Sequence, residues 1–486
     1  MAPDDAPIRP RMLINGELVE ASDGKTFPLY NPATREISAH VPEASADDTN
    51  AAVAAAKAAF PAWSAMGGAN RSGYLKKLAA LIRENRDELA RLEAISMGMP
   101  VSTYRYAHTA ATQYDYFSEA WPSVQGQASV NTPGFMTMTL RQPYGVVAVI
   151  IPWNAPVHFL ASKTAPALIT GNTVVLKSSE KAPLAVARIA ELVVEAGFPP
   201  GVFNIISGHG VPSGQILSRH MDVRALSFTG SSRTGKLIQE EAARTNLKKV
   251  VLELGGKSPA IVFDDADLDK AATKTQFSIQ VNSGQVCMAN SRIYVQKNVA
   301  SQFIDVFKTK FAANARAGNP LDKETNHGPQ ADEVQYRNVL KYIEEGKKSG
   351  TLAMGGSGKL ESTNGFFVEP TVFLDQPETA RITKEEVFGP VVIINTFETE
   401  AEAIAKANDT EFGLYAAVFT RDVSRAMRVA KALESGYVGV NCTSPMTGHD
   451  LPFGGYKGSG QGREGLLYSM NNFLEIKSVI LQIDED

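Results

Sequence analysis

Gly145-Val-Val-Ala-Val-Ile-Ile-Pro-Trp-Asn-Ala-Pro-Val-His-Phe-Leu-Ala-Ser-Lys-Thr-Ala-Pro-Ala-Leu-Ile169 is the stretch on which the fold turns. Val146–Ile151 is an unbroken apolar run, the mark of a strand covered on both faces. Val157–Ile169 then carries apolar residues at helical spacing. The same unit recurs downstream. Strands are predicted at Thr173–Leu176, Phe203–Ile206, Ala225–Phe228 and Val250–Leu252, with helical patterns around Leu184–Ala196, Val211–Ser218 and Lys236–Ala243 between them. Strand and helix in alternation give a parallel, doubly wound α/β sheet, whose ligands bind beyond the carboxyl ends of the strands.

A second strand–helix set follows Gly256, with strands expected at Ala260–Phe263, Arg292–Val295, Val391–Thr396, Ala416–Phe419 and Tyr437–Val440. This predicts a second α/β domain. Upstream, Met12–Val41 reads as short strands and turns, with Asn15-Gly16 as a turn signal. Helices are expected over Ser45–Ala59, Arg71–Met97 and Ala107–Ala120. Gly126–Arg141, with its Pro133-Gly134 turn, reads as a β-hairpin with little sequence nearby to cover it, and Asn472–Gln482 reads as a strand.

Composition narrows the function classes. The chain has 486 residues, too many for one ordinary core, with 44% hydrophobic and 21% charged residues. A net charge of -4 gives no basic footprint for nucleic acid or an anionic membrane. The N-terminal residues carry Asp4 and Asp5 and do not resemble a signal peptide, so a cytoplasmic protein is expected. With two cysteines, Cys287 and Cys442, no disulfide framework is expected. The scattered histidines lack metal-ligand spacing, so no metal is expected.

The residues after the strands carry the chemistry. Ser227-Phe-Thr-Gly-Ser-Ser-Arg-Thr-Gly-Lys236 leads from a strand into a helix. Gly230 allows a tight turn and a close backbone approach, and the helix start offers N–H groups and a positive dipole end to a phosphate. The loop nearly matches a nucleotide-hydrolase P-loop, but Leu237 stands where a Mg²⁺-binding hydroxyl is required. Alone, it is also an ordinary strand-to-helix turn. Cys287 follows Asn282-Ser-Gly-Gln285, which is not a core pattern, and this favours a nucleophile over a packing residue. Cys442 reads as structural. Glu253 closes an apolar strand beside Gly255-Gly256, where burial would raise its pKa; a solvated strand-end Glu is the plain alternative. Asn154 follows a strand and could donate to an oxyanion, although turn and cap asparagines are common.

Taken in order, Pro152-Trp-Asn154, Lys177 with Glu180, Gly197-Phe-Pro-Pro-Gly201, Phe228-Thr-Gly-Ser231, Glu253-Leu-Gly-Gly256, Gly284-Gln-Val-Cys287, Glu386-Val-Phe-Gly-Pro390 and Pro452-Phe-Gly-Gly455 resemble the aldehyde dehydrogenase superfamily along nearly the whole chain. The resemblance implies an NAD-binding domain at 1–124 and 143–255, a catalytic domain at 256–455, and an oligomerisation element at 125–142 and 471–486. It implies that Cys287 is the nucleophile, Glu253 the general base, and the Asn154 amide with the Cys287 N–H the oxyanion hole. It further implies cofactor contacts at Trp153, Lys177, Glu180, Gly230, Ser231, Leu254, Gln335, Glu386 and Phe388.

The implied reaction is oxidation of an aldehyde to the acid through a Cys-bound thiohemiacetal and thioester. The Glu at 253 favours water over coenzyme A as acyl acceptor. Glu180 favours NAD over NADP, because a carboxylate repels a 2′-phosphate. By the same resemblance the substrate pocket is lined by Ala155, Phe159, Ser162, Val286, Met288 and Thr443. Ala155 and Ser162 are smaller than the residues several relatives carry, which suggests a medium-sized or aromatic aldehyde. A homodimer or homotetramer is implied. The alternative within the fold is a catalytically silent NAD-binding or structural relative.

Overall fold

The computed structural model describes residues 9–358, 364–445, 448 and 451–483. The expectations made for the first eight residues, for His449 and for the last three residues lie outside them.

The chain opens with a short antiparallel pair, β1 (Met12–Ile14) and β2 (Glu17–Val19). Asn15 (φ 54°) and Gly16 (φ 83°) make the turn between them. β3 (Thr26–Tyr30) and β4 (Ile37–Pro42) form a second antiparallel ribbon. α1 (Ala46–Ala65) starts at Ser45, whose side chain accepts from Asp48 N–H while Asp48 accepts from Ser45 N–H. It runs past Ala59 and through Pro61, longer than its apolar pattern suggests.

The single helix expected over Arg71–Met97 is two, α2 (Gly68–Glu84) and α3 (Arg86–Met97). The break is at Asn85, which leaves helical geometry and turns its amide back onto the Leu81 carbonyl. A helical spacing of apolar residues cannot register one non-helical residue when both pieces bury the same side. α4 (Tyr106–Ala120) leads to β5 (Ala128–Ser129) and β6 (Phe135–Pro143), the expected hairpin.

The first large sheet then forms. Its parallel strands are β7 (Val146–Ile150), β8 (Thr173–Lys177), β9 (Phe203–Ile206), β10 (Val223–Thr229) and β11 (Lys249–Glu253). The intervening helices are α5 (Pro156–Ile169), α6 (Leu184–Glu195), α7 (Gln215–Arg219) and α8 (Ser232–Arg244). α7 is shorter than predicted because Val211 (φ -119°, ψ 128°) is extended. The parallel strands lie in the order β9-β8-β7-β10-β11, so the winding reverses beside β7 and opens a crevice there. β1 adds antiparallel to β9.

The second sheet is built from β12 (Ser258–Val262), β13 (Asn290–Gln296), β14 (Thr351–Met354), β15 (Thr371–Leu374), β16 (Val391–Phe397), β18 (Tyr415–Phe419) and β19 (Tyr437–Val440), all parallel except β14. The sequence reading missed β14 and β15. The short β17 (Phe412–Gly413) stands apart from that sheet. Its helices are α9 (Leu268–Gln280), α10 (Ala300–Asn314), α11 (Glu333–Ser349), α12 (Arg381–Lys384), α13 (Glu400–Asn408) and α14 (Val423–Ala432). The chain then returns to the first half. β20 (Tyr456–Lys457) pairs with β17, and β21 (Gly460–Gln461) pairs with β11. After α15 (Leu466–Asn471), β22 (Leu474–Gln482) pairs along the whole of β6. The resulting three-stranded sheet leaves Ile476 and Ile480 64% and 68% exposed.

One buried amide ties these parts together. Asn172 Oδ1 accepts from Gly145 N–H at 3.0 Å, at the entrance to β7. Its Nδ2 donates to Phe473 O at 2.9 Å, at the entrance to β22, and to Thr170 Oγ1. Asn172→Ala leaves a buried donor and a buried acceptor unpaired. It is expected to destabilise the fold by about 1–3 kcal/mol. Urea unfolding of the variant measures this, and an unmoved midpoint contradicts it.

Candidate active site

Strand register brings the informative residues to one edge. Lys177 of β8 is level with Ile150 of β7, Ile150 with Phe228 of β10, and Thr229 with Glu253 of β11. The segments leaving these strands therefore emerge together: Trp153-Asn154 after β7, Ser178–Glu180 after β8, Gly230-Ser231 after β10 and Leu254–Gly256 after β11.

Cys287 reaches this edge from the second half, in the loop between α9 and β13. The loop is tightly wound, with Asn282 (φ 50°), Ser283 (φ 52°) and Gly284 (φ 76°) in the left-handed region. Its shape is held by Gln285, a fully buried side chain. Gln285 Nε2 donates to Asn282 O at 2.9 Å and its Oε1 accepts from Ala331 N–H at 2.9 Å. Asn154 locks onto the same loop. Its Nδ2 donates to Gln285 O at 2.9 Å, and its carbonyl accepts from Asn282 Nδ2 at 3.0 Å. An amide has two N–H bonds, so the second is left to aim elsewhere.

Cys287 Sγ points at Glu253 Oε1, 3.9 Å away, and the other carboxyl oxygen accepts from Thr229 Oγ1 at 3.0 Å. Glu253 and Cys287 are only 3% and 8% exposed. Burial, reinforced by the Glu464 carboxylate, pushes the Glu253 carboxyl up to about 7. Burial and the carboxylates of Glu253 and Glu386 hold the Cys287 thiol well above its ordinary range. The pair is therefore a thiol and a carboxyl that ionises near neutrality, an arrangement able to move a proton.

Both glycines beside Glu253 serve close approaches. A Cβ on Gly256 would stand 2.4 Å from the Cys287 carbonyl oxygen, and one on Gly255 2.2 Å from Glu386 Oε2. Glu386 accepts from Gly256 N–H at 3.0 Å, and burial lifts its carboxyl to about 7. Gly230 is not in the left-handed region; a Cβ there would lie 2.4 Å from the Phe228 ring, so the glycine makes room for a side chain.

Ser231 caps α8, accepting from Thr234 N–H at 3.3 Å. Lys177 is buried and donates to Ser178 O at 2.9 Å, with the Glu180 carboxylate nearby. Leu254 is buried, and its N–H donates to Ser459 O. Trp153 and Phe388 meet edge to face at 5.4 Å. Gln335 does not point into open space; its Nε2 donates to Phe388 O at 2.7 Å and holds that residue at φ 58°. The start of α8 at this edge offers free N–H groups and a positive dipole end to a phosphate.

Of the residues expected to line the substrate pocket, Ala155 and Phe159 are buried near the start of α5, and Ser162 and Met288 are half-buried. Thr443 is buried with its hydroxyl turned to Asn290 Oδ1. Val286 lines a small cavity with Gly256, Glu386 and Phe388 and packs against the core of the second sheet. The reading overlooked Tyr106 and His158. Their rings continue from Phe159 at 5.2 and 6.4 Å, and the Tyr106 hydroxyl feels Cys287 electrostatically.

It also overlooked Lys163 and Glu464. Lys163 is buried in α5, paired with Glu464 and donating to Ser227 Oγ at 3.2 Å. One cation inside an otherwise apolar helix is the signal that could have revealed it. Nothing around Glu464 in sequence announces it.

Among the described residues there is no group of three or more His, Cys, Asp or Glu able to hold a metal, and no helix long and apolar enough to cross a membrane.

The pattern of the aldehyde dehydrogenase family matches residues 18–479. An aldehyde dehydrogenase of Alternaria alternata is 43% identical over 478 residues, 98% of this chain and 95% of that protein. Two solved structures are also similar. The indole-3-acetaldehyde dehydrogenase AldA of P. syringae, crystallised with NAD+ and IAA, superposes with a TM-score of 0.96 at 39% identity, covering 99% of this chain and 98% of that one. The NAD+ complex of an aldehyde dehydrogenase from Bacillus cereus gives 0.95 at 41%, covering 98% and 97%.

The raised carboxyl also bears on stability. As pH rises from Glu253's ordinary value of 4.5 toward about 7, the unfolded chain releases this proton while the folded one keeps it. Stability therefore falls across that window. Glu253→Gln removes the loss. The variant is expected to gain on the native protein from pH 4.5 upward, by on the order of 3 kcal/mol at pH 8. Unfolding measured at pH 5 and pH 8 checks this; an equal difference at both contradicts it.

Proposed function

The chain belongs to the aldehyde dehydrogenase family, whose members are oxidoreductases acting on aldehydes, and on that premise we propose that it oxidises a medium-sized or aromatic aldehyde to the carboxylic acid with NAD. The observation that carries the reading is the buried thiol–carboxyl pair of Cys287 and Glu253 at 3.9 Å, with the Asn154 amide fastened to the same loop.

Glu253 takes the Cys287 proton, since the thiolate is the nucleophile. Sγ attacks the aldehyde carbon, the S–C bond forms, and the carbonyl π pair moves to oxygen. The free N–H of Asn154 and the Cys287 N–H stabilise that oxygen; losing one such donor typically costs roughly 2.7–4 kcal/mol in the barrier. As the C=O bond reforms a hydride leaves the carbon, and NAD, held by the residues named below, would supply its acceptor. This leaves a thioester on Cys287. Glu253 then accepts a proton from water, the hydroxide adds to the thioester, the C–S bond breaks, and the acid departs. The Lys163–Glu464 pair behind Glu253 offers the proton a way out of the buried site.

We assign cofactor binding to 1–124 with 143–255, catalysis to 256–455, and subunit contacts of a homodimer or homotetramer to 125–142 with 471–486. Trp153, Lys177, Glu180, Gly230, Ser231, Leu254, Glu386 and Phe388 hold NAD. Gln335 acts through the Phe388 backbone. The exposed Ile476 and Ile480 support the subunit-contact assignment. The aromatic line Tyr106–His158–Phe159 and the small Ala155 and Ser162 support a bulky or aromatic substrate.

kcat is expected to rise with pH through about 7, as Glu253 ionises. Glu253→Gln should slow the first burst of NADH, lower steady turnover by about a hundredfold or more, and lose that inflection. Unchanged turnover removes Glu253 from the role. Cys287→Ala should abolish NADH formation. If the native chain binds NAD yet oxidises no aldehyde, it is a silent relative and the proposal fails.

With a panel of aldehydes, kcat/KM should be higher for aromatic and medium-chain members than for acetaldehyde, and higher with NAD than NADP because of Glu180. Acetaldehyde emerging as best, or equal efficiency with both cofactors, counts against the respective assignment.

A further inference from the structure

Glu93, in α3, is a fully buried carboxyl that the reaction above does not use. Its Oε1 accepts from Val157 N–H at 3.3 Å, while its Oε2 has no partner. The buried Tyr104 hydroxyl nearby is unpartnered too. A half-satisfied carboxyl in such a place is destabilising, so packing does not account for it.

What it holds is the start of α5. Ala155 stands at the cap and has no side-chain acceptor, and Pro156 has no N–H. Val157 therefore carries the helix's first backbone donor, and its acceptor comes from a different helix. Just ahead of this turn stands Asn154, whose amide and carbonyl both clasp the Cys287 loop.

We propose that Glu93 is a positioning residue: capping α5 from outside, it fixes where the Asn154 amide stands relative to Cys287. The inference rests on the reading of Asn154 as the oxyanion donor. Burial pushes the Glu93 carboxyl up to about 8, so near pH 7 it is a neutral acid, close in shape and charge to glutamine.

Two variants test it. Glu93→Met fills the same space without an acceptor, and Glu93→Gln keeps one. The first readout is amide hydrogen exchange over residues 154–160, which needs no activity. The second is the rate of the NADH burst per Cys287 alkylated in a parallel titration, with KM for NAD measured alongside. Glu93→Met is expected to speed exchange at this helix start and slow the burst roughly tenfold, with KM for NAD within twofold. Glu93→Gln should restore both. Should Glu93→Met fail to fold, Glu93→Asp withdraws the acceptor by one methylene and should show the same pair of effects.

Unchanged exchange overturns the cap. Faster exchange with an unchanged burst overturns its link to Asn154. A loss shared equally by Glu93→Met and Glu93→Gln also overturns it. If the native enzyme gives no burst with any aldehyde, the proposed function fails, and the exchange experiment alone decides whether Glu93 holds α5.

Discussion

Glu253 and Cys287 lie 3.9 Å apart, almost wholly out of water, and they belong to different halves of the chain. Holding two ionisable groups in that state requires the edges of two sheets to meet with no solvent between them. The contact is made where side chains are missing. Gly256 admits the Cys287 carbonyl, and Gly255 admits the Glu386 carboxyl. Desolvation then does the electrostatic work. It is the first cause of the raised pKa at Glu253, at Glu386 and at Cys287 alike. The site's reactivity therefore depends on the fit of the seam more than on any one charged neighbour.

Much of this was legible in the sequence. Parallel buried strands are written as continuous apolar runs, so β7 to β11 stood out, and with them the strand ends from which Asn154, Lys177, Gly230 and Glu253 emerge. What escaped has a common physical character. The break at Asn85 leaves the apolar spacing of α2 and α3 intact, so periodicity cannot see it. β14 and β15 are four residues each, too short to show a period. Lys163, Glu464 and Tyr106 come from segments distant in sequence and acquire meaning only when the fold gathers them. At Gly230 the crowding comes from the Phe228 ring, which no local sequence rule announces.

Val286 and Thr443 have side-chain directions that the sequence does not specify. A residue next to a reactive loop can face either of two sides, and alternation in a tightly wound turn does not follow strand rules. Val286 turns toward the second sheet's core, and Thr443 spends its hydroxyl on Asn290.

The path of the chain after β19 has a consequence for biosynthesis. β21 closes the edge of the first sheet beside Glu253, Ser459 accepts from Leu254 N–H, and Glu464 pairs with Lys163 behind the carboxyl. Strand β11 is translated some two hundred residues before these partners exist. Until the ribosome has passed Glu464, the cofactor half lacks its border strand, and Lys163 is a cation without a counterion. A nascent chain thus cannot carry a tuned Glu253, and the thiol stays unpaired with a working base until synthesis is nearly done.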